Sequence, residues 1–542
     1  MRLTELRLGV ELAGWRDGVR DFLRTEMAPG NVAGHIDPSD LTGLDRTFEL
    51  RHQKEAARRG MLAVSLPIAD GGRGRSRAWK HVFDLEAAYH GAPSMDTGVT
   101  LCGFVLSRFG TPDQKSRWLA PMVSGKMLGS IAYSEAGAGN NLAAISTRAV
   151  RNSNGWELSG TKSHVTGAHK ADMAVVLAVT DPGGNPRSSM TMFLVPLDAP
   201  GVQVRRRPTL NRWTLGEIAL HQVHLDTGCV LGEVGKGWSQ VMSAVAAERG
   251  SPAYYGWVER GLERLPPEVT APDRARLHAA ATCVRAFCQR LVDFEETGRP
   301  VGYEASVVKV AATELLQTIA RTALSAAGAE GFAWSPMFAD GPPHYYDTLE
   351  AIHPTISVGA NETHRDMIAT TLLDHDPPST SPLPEEPGQG SVHPSTSPIP
   401  AVTNKDPVVA ACLAMAAQAR RILTITTHHG LNRPLYGKVV GDFQTARHRF
   451  VDMAIAVEAM ELTTMEVANT PPGPQRDYLL SAAKMVGNEH LLDIVAGAHQ
   501  LHGADGYYAD HLLAPYTEWA WAAQARAGTT AEHSKKLAAL TR

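Results

Sequence analysis

A proline-rich stretch late in the chain constrains its architecture more than any other feature. Eight of the 34 prolines in the 542-residue chain lie between Pro377 and Pro400, a segment that also holds five serines and no aromatic residue. A segment of this composition cannot build a core and is typical of an extended, semi-rigid linker. We therefore expect a long first part, a linker over residues 376–405 and a second part of about 140 residues.

The spacing of apolar residues changes along the chain. Residues 1–125 repeat apolar residues at intervals of three and four, which predicts an N-terminal helical domain. Residues 126–232 hold short runs rich in Val, Ile, Leu and Thr, separated by turns with little helix between them. The helical spacing returns over residues 233–375 and again over residues 406–542. The predicted fold class is α+β: a helical domain, a central antiparallel β-domain and a helical bundle, followed by a second helical bundle.

Composition excludes several classes of protein. Hydrophobic residues make up 43% of the chain, which is enough for sizeable cores, and a net charge of −4 gives no basic field for nucleic acid. The five cysteines are scattered without paired spacing, as is typical of reduced thiols in a cytoplasmic protein. Apolar runs never reach the length of a membrane span or a signal peptide, so we expect neither. The histidines show no spacing suited to a metal site.

A glycine-rich segment after the first predicted strand invites a nucleotide-binding interpretation. Gly137-Ala138-Gly139 is followed by a further β-like segment instead of a crossover helix, which excludes a Rossmann dinucleotide site. Ser134 stands at a strand end just before this turn, where a hydroxyl and backbone N–H groups can face a flat, heteroatom-rich ring. Taken alone, the same residues are at least as typical of an ordinary β-turn.

Linked motifs nevertheless span the whole first part. In chain order they read RFGTPDQKSRWLAPMVSGK, SIAYSEAGAGNNL, GWELSGTKSHVTGAHKAD, VLGEVGKGW and ISVGANETHRDMIA. Together they resemble the acyl-CoA dehydrogenase flavoprotein family. The resemblance implies an FAD held between the predicted domains. It also implies removal of a proton beside a thioester carbonyl, with hydride transfer from the next carbon to the flavin.

The resemblance assigns several residues to the flavin and its substrate. Ser134 and Thr166 match hydroxyl positions that hydrogen-bond the flavin ring. His164 stands where the family usually has Trp or Phe against the flavin, a departure that leaves the stacking open. Asn140 matches a position that contacts substrate or cofactor in relatives.

A second departure from the family pattern concerns the base that removes the proton. This chemistry needs a carboxylate in an apolar pocket, where desolvation raises the pKa of the acid. Many relatives carry that Glu just before the Gly of the last-helix motif, but Val358 occupies the position here. Other relatives carry it in a Glu-Arg pair on the first helix of the bundle, which implies Glu248 as the base, with Arg249 beside the substrate. Tyr255 lies about two helical turns beyond Glu248 and is a further candidate for the substrate pocket, although Tyr254 and Tyr255 are also typical of packing residues. The alternative is that Glu248 forms a solvated helix ion pair.

The second part supplies motifs that the first part lacks. Arg433, Tyr436 and Gln444 match an Arg-x-x-aromatic-Gly motif and its following Gln, which in relatives bind the FAD pyrophosphate of a neighbouring subunit. A guanidinium suits this task because its fork matches phosphate oxygens. Gln500 and Gly503 resemble the adenine-side loop. The second part thus resembles the partner bundle of a heteromeric, steroid side-chain type acyl-CoA dehydrogenase, fused into one chain and catalytically silent.

The expected function is FAD-dependent α,β-dehydrogenation of an acyl thioester, carried either by coenzyme A or by a carrier protein. Electrons then pass to an electron-transfer flavoprotein or to dioxygen, and the fused chains are expected to form a homodimer. Two alternatives stay open because of His164 and Val358. One is another flavin chemistry, as an oxidase or an N-hydroxylating monooxygenase; the other is a degenerate, non-redox member of the family.

Overall fold

A computed structural model describes residues 5–37, 43–93, 96–139, 141–185, 187–248, 252–333, 343–373 and 406–541. The predicted linker over residues 376–405 lies outside the described residues.

Helices are the main elements in the described part of residues 1–125, as the apolar spacing predicts. The longer ones are α1 (Val10–Glu26), α2 (Arg46–Arg58), α3 (Arg77–His90) and α4 (Gly103–Phe109). Helix α2 begins where the Asp45 side chain accepts a hydrogen bond of 2.7 Å from the Phe48 backbone N–H. Helix α3 ends at Gly91, whose φ of 70° closes the last turn at little steric cost.

The central domain is one twisted sheet. Its strands are β1 (Gly129–Ala132), β2 (Arg148–Asn152), β3 (Gly155–Thr166), β4 (Met173–Val179), β5 (Met190–Pro196), β6 (Val202–Pro208), β7 (Thr214–Leu225) and β8 (Val230–Leu231). The main path runs β6-β7-β3-β2-β4-β5-β8, and β1 pairs with β4. Strand β4 is buried along nearly its whole length, which matches its Val- and Ala-rich sequence.

The expectation of an antiparallel domain needs one correction. Most neighbouring strands are antiparallel, but β1 runs parallel to β4, and β2 meets β4 in parallel at the Arg148 and Val179 pair. A parallel pair requires a long crossover between its strands. The β2–β3 hairpin provides that crossover, and it also brings the end of β3 beside the loop that follows β1.

Two sets of helices follow the sheet. The first set comprises α5 (Gly237–Glu248), α6 (Ala253–Glu263), α7 (Ala271–Glu296), α8 (Glu304–Ala327), α9 (His344–Glu350) and α10 (Asn361–Leu373). The second set comprises α11 (Pro407–Asn432), α12 (Gln444–Ala468), α13 (Pro474–His502), α14 (Ala514–Ala523) and α15 (Thr530–Leu540). A short hairpin of β9 (Pro434–Leu435) and β10 (Lys438–Val439) separates α11 from α12.

The two bundles share one apolar core. Helix α7 of the first bundle packs against α12, α13 and α15 of the second. Arg285 and Glu466 form a buried ion pair across this interface, and Arg290 pairs with Glu458 at 2.7 Å. Among the described helices, α11 alone has the length and composition of a membrane span. It packs against α12 and α13, as a core helix of a bundle does.

Candidate active site

A cavity of about 930 Å³ lies where the helical domain, the sheet and the first bundle meet. Its walls include Ser134, His164, Thr166, Tyr254, Arg260 and Val358. Phe83, Leu101 and Met242 add apolar surface to the same walls. A surface depression of similar volume, about 970 Å³, shares no lining residue with this cavity.

The loop after β1 holds Ser134 against the end of β3. The Ser163 backbone N–H donates a hydrogen bond of 3.0 Å to the Ser134 carbonyl. Four residues earlier in the chain, the Ser130 hydroxyl donates a hydrogen bond of 3.0 Å to the Thr166 carbonyl. These bonds place the predicted flavin-facing residues Ser134 and Thr166 on one wall of the cavity.

A buried ion pair fixes this wall from behind. Lys162 is fully buried and donates hydrogen bonds to Glu135 at 2.8 Å and to the Tyr133 carbonyl at 3.1 Å. It therefore binds the residues directly before and after Ser134 in the sequence. Burial would raise the pKa of Glu135, but hydrogen bonds from Lys162 and Thr147 lower it to about 2. Burial lowers the pKa of Lys162 to about 8, against the opposing influence of Glu135. The pair is therefore ionised at neutral pH.

His164 projects from an irregularity in β3. The register between β3 and β7 shifts between Lys162 and Val165, and His164 has a φ of 57°. A left-handed conformation at a residue other than Gly costs free energy and clusters at functional sites. The His164 ring nitrogen Nδ1 lies 3.0 Å from the Ser163 hydroxyl, and the ring lines the cavity.

The turn before α10 closes another side of the cavity. Val358 and Gly359 both have positive φ, of 56° and 92°. Lys309 donates to the Gly359 carbonyl at 2.6 Å and to Asn361 Oδ1 at 3.0 Å, which holds the turn in place. Buried His364 lies 3.2 Å from the Val358 carbonyl through Nε2. Val358 thus brings an aliphatic side chain, not a carboxylate, to this wall.

Three predicted residues of the catalytic region cannot be placed in full. Glu248 is the last residue of α5, but its side chain lies outside the described residues, as do Asn140 and Arg249 entirely. Earlier in the same helix, Val241 and Met242 line the cavity.

The prediction that Tyr255 lines the substrate pocket is wrong. Tyr255 is 0% exposed and packs into the core shared by the helices, whereas its neighbour Tyr254 lines the cavity. Consecutive residues of a helix point about 100° apart, so only one of the two tyrosines can face the cavity. The spacing indicates which one: Tyr254, Trp257 and Arg260 follow each other at intervals of three and line the same wall.

Charged groups that the motifs did not predict line the α6 and α9 side of the cavity. Arg260 faces Asp347 and Glu350, and burial lowers the pKa of Arg260 to about 10. Burial raises the pKa of Glu350, although Asn211 and Tyr346 donate hydrogen bonds to it. Burial also raises the pKa of Asp347, against the opposing charge of Arg260.

The predicted cofactor residues of the second part form a separate cluster. Arg433 directly follows α11 and pairs with Asp505 at 3.3 Å, which joins the hairpin region to the short 3-10 helix Gly503–Tyr507. Tyr436 lies at the tip of the hairpin and is 91% exposed, and Gln500 is exposed near the end of α13.

This cluster is tied to the first part through Gln444. The Gln444 side chain donates to Asp366 Oδ2 at 3.0 Å, and Asp366 belongs to α10. The turn before α10 and the first residues of α10 line the cavity. The described contacts therefore connect the second-part cluster to α10, but none of its five predicted residues lines the cavity itself.

Comparisons with known proteins match both parts of the chain. Models of the acyl-CoA dehydrogenase N-terminal and middle domains match residues 11–126 and 130–227, and the model of the C-terminal domain matches residues 269–373 and 409–539. The chain is 29% identical over 362 residues to the acyl-CoA dehydrogenase IpdE1 of Mycobacterium tuberculosis, covering 63% of this chain and 94% of that protein.

Solved structures give the same picture. The Tcur3481-Tcur3483 steroid ACAD is 25% identical, with a TM-score of 0.62 over 69% of this chain and 100% of that chain. An acyl-CoA dehydrogenase complexed with FAD from Bacillus anthracis is 17% identical, with a TM-score of 0.77 over 99% of this chain and 96% of that chain. The latter likeness concerns the fold alone, and it includes the second helical bundle.

Proposed function

The chain belongs to the acyl-CoA dehydrogenase family, and from this premise we propose that it catalyses FAD-dependent α,β-dehydrogenation of an acyl thioester. The observation that carries the proposal is that Ser134 and Thr166 both line the cavity and that backbone and side-chain hydrogen bonds fix the two segments that carry them. The thioester is carried by coenzyme A or by a carrier protein. The comparisons do not favour an oxidase, an N-hydroxylating or a non-redox role.

The residues of the cavity fit an FAD, the cofactor that the family supports. Ser134 and Thr166 offer hydroxyls on one wall, and Phe83 and Met242 offer apolar surface on others. A flat, heteroaromatic ring needs this combination of a polar edge contact and apolar faces. When bound, FAD supplies the hydride acceptor. In the proposal, Ser134 and Thr166 orient the ring and His164 packs beside it.

The proposed base is Glu248, which removes the proton beside the thioester carbonyl. Val358 has no group that accepts a proton, so the base must come from another element. Val241 lines the cavity from α5, and Glu248 follows it by seven residues. Seven residues are about two helical turns, so both positions lie on one face of α5. Asn140 and Arg249 are proposed to contact the substrate.

The second bundle is proposed to hold the pyrophosphate and adenosine half of the cofactor. Arg433, Tyr436, Gln444, Gln500 and Gly503 are assigned this role. Two contacts support it: Arg433 is joined to the 3-10 helix Gly503–Tyr507 through Asp505, and Gln444 is joined to α10 through Asp366. In this proposal the chain is a fused pseudo-heterodimer, and two such chains form a homodimer. We further propose that it works in the cytoplasm and passes its electrons to an electron-transfer flavoprotein.

Anaerobic mixing with acyl-CoA thioesters tests the proposed reaction. The flavin absorbance of the wild-type protein should bleach. In Glu248→Gln the bleaching should slow by about 10²- to 10⁴-fold at unchanged FAD content, because loss of a positioned base removes that much of the rate. Glu518→Gln, an exposed change on α14, is the matched control and should bleach like the wild type. Full bleaching rate in Glu248→Gln would sink the base assignment, and a purified protein that binds no FAD would sink the proposed function.

A further inference from the structure

One wall of the cavity is more polar than oxidation of a plain hydrocarbon chain requires. Arg260 from α6 and Arg264 directly after it, together with Asp347 and Glu350 from α9, line the same cavity as Ser134 and Thr166. Removing charged groups from water is unfavourable unless partners compensate for the lost hydration. A site for an aliphatic chain alone would avoid this desolvation cost if apolar residues formed it.

The partners of these four groups differ. The Glu350 carboxylate already has hydrogen-bond partners, because Asn211 and Tyr346 both donate hydrogen bonds to its Oε2 atom. Arg260 and Asp347 attract each other electrostatically, yet within the described part of the chain neither side chain makes a hydrogen bond or an ion pair. Arg260 is partly buried by its neighbours and lines the cavity with the rest of its surface. Its guanidinium therefore presents hydrogen-bond donors to whatever fills the cavity.

The chemistry of this wall selects a class of ligand. A guanidinium carries five donors and no acceptor, so it requires an oxygen that accepts hydrogen bonds. A carboxylate, a keto group or a hydroxyl supplies one, and a methyl or methylene group does not. The Asp347 carboxylate beside it accepts a hydrogen bond and so complements a hydroxyl in particular.

We propose that Arg260 is a specificity-determining residue that selects acyl thioesters whose acyl group bears an oxygen substituent over unsubstituted acyl thioesters. The inference rests on the proposed function, since it names the substrate class of the same cavity. Arg260 acts on binding and orientation of the acyl group and takes no part in moving the proton or the hydride.

The test compares three coenzyme A thioesters of one chain length: octanoyl, ω-hydroxyoctanoyl and ω-carboxyoctanoyl. Shorter and longer sets of the same three types vary the position of the oxygen. The quantity measured is the ratio of kcat/KM for each oxygenated thioester to that for the plain thioester. In the wild-type holoenzyme this ratio should exceed one for at least one set.

Arg260→Met should lower that ratio by about tenfold or more, because a hydrogen bond to a charged group contributes on that scale. Arg260→Lys keeps the charge without the planar fork, so it should lower the ratio less. Arg205→Met, on the exposed strand β6, is the matched control and should leave the ratio unchanged. A loss confined to the carboxylated thioester identifies an anionic substrate, and a loss shared with the hydroxylated one identifies a neutral oxygen.

The outcomes separate this inference from the function on which it rests. If plain and oxygenated thioesters reduce the wild-type flavin with equal kcat/KM, the inference is overturned and the proposed function stands. The same holds if Arg260→Met leaves the ratio unchanged. If no acyl thioester reduces the flavin, both are overturned. If Arg260→Met fails to fold or to retain FAD, Arg260→Lys takes its place, and an unchanged ratio in that variant overturns the inference.

Discussion

At the scale of single residues, Ser134 and Thr166 owe their positions to groups behind them. Lys162 contacts the residues on both sides of Ser134, and its partner Glu135 also accepts hydrogen bonds from the Ser146 and Thr147 backbone N–H groups at 2.7 and 2.9 Å. One buried pair thus joins the loop after β1, the start of β2 and the middle of β3. We infer that it positions the wall without touching substrate.

Removing Lys162 should therefore destabilise the protein and loosen this wall. Lys162→Met leaves Glu135 as an uncompensated buried charge, which costs about 3–5 kcal/mol in comparable cases. The double variant Glu135→Gln with Lys162→Met removes both charges and should recover part of the loss. Chemical denaturation followed by circular dichroism measures the free energy of unfolding of all three proteins. Equal losses in the single and double variants would show that the charge pair is not what holds the wall.

At the scale of elements, local sequence predicts whether a segment is a helix or a strand better than it predicts which other segments that segment pairs with. The apolar spacing of three and four predicted the helices, and the short Val- and Ile-rich runs predicted the strands, because both patterns express the local period of burial. The parallel partnership of β1 with β4 could not be predicted in this way. It depends on the path of the β2–β3 hairpin between them, which the local period does not encode.

The residues of the candidate site show the same difference: some could be predicted from the sequence, and others depend on contacts that the sequence does not reveal. The family resemblance led to Ser134, His164 and Thr166, which all line the cavity. Helix α6 shows where reasoning from the sequence failed: Tyr254 and Tyr255 are adjacent and both buried, and only the spacing of later cavity residues distinguishes the side of the helix that faces the cavity from the side that packs into the core. Lys162 could not be found, because a lysine on a strand is usually solvent-exposed and its burial depends on Glu135, 27 residues earlier.

At the scale of the whole molecule, the two bundles behave as one folded body. Their apolar side chains form a single core cluster, which includes Val284 and Leu291 from α7, Met460 from α12 and Leu491 from α13. The buried Arg285–Glu466 pair crosses the same interface. A covalent connection through residues 376–405 is therefore not needed to hold the second part in place once the chain has folded.

Cutting the chain within residues 376–405, at an introduced protease site, should leave the two fragments associated. They should elute together in size-exclusion chromatography and keep the FAD content of the uncut protein. In the cut protein, Glu466→Ala should promote dissociation, since it leaves Arg285 buried without its partner, at a cost of about 3–5 kcal/mol. Separate elution of the fragments without that change would contradict the shared core.

The central claim is that one FAD site is completed by both parts of the chain. Arg433→Met tests it most directly, with Arg420→Met as the control, since Arg420 lies on α11, which Arg433 directly follows, and pairs with Glu461 on the surface. The dissociation constant of FAD is measured for both variants and the wild type by equilibrium binding. We predict that Arg433→Met weakens FAD binding by about 10- to 100-fold, the contribution of charge-assisted hydrogen bonds to phosphate, while Arg420→Met leaves it unchanged. An FAD dissociation constant in Arg433→Met equal to that of the wild type would contradict the claim.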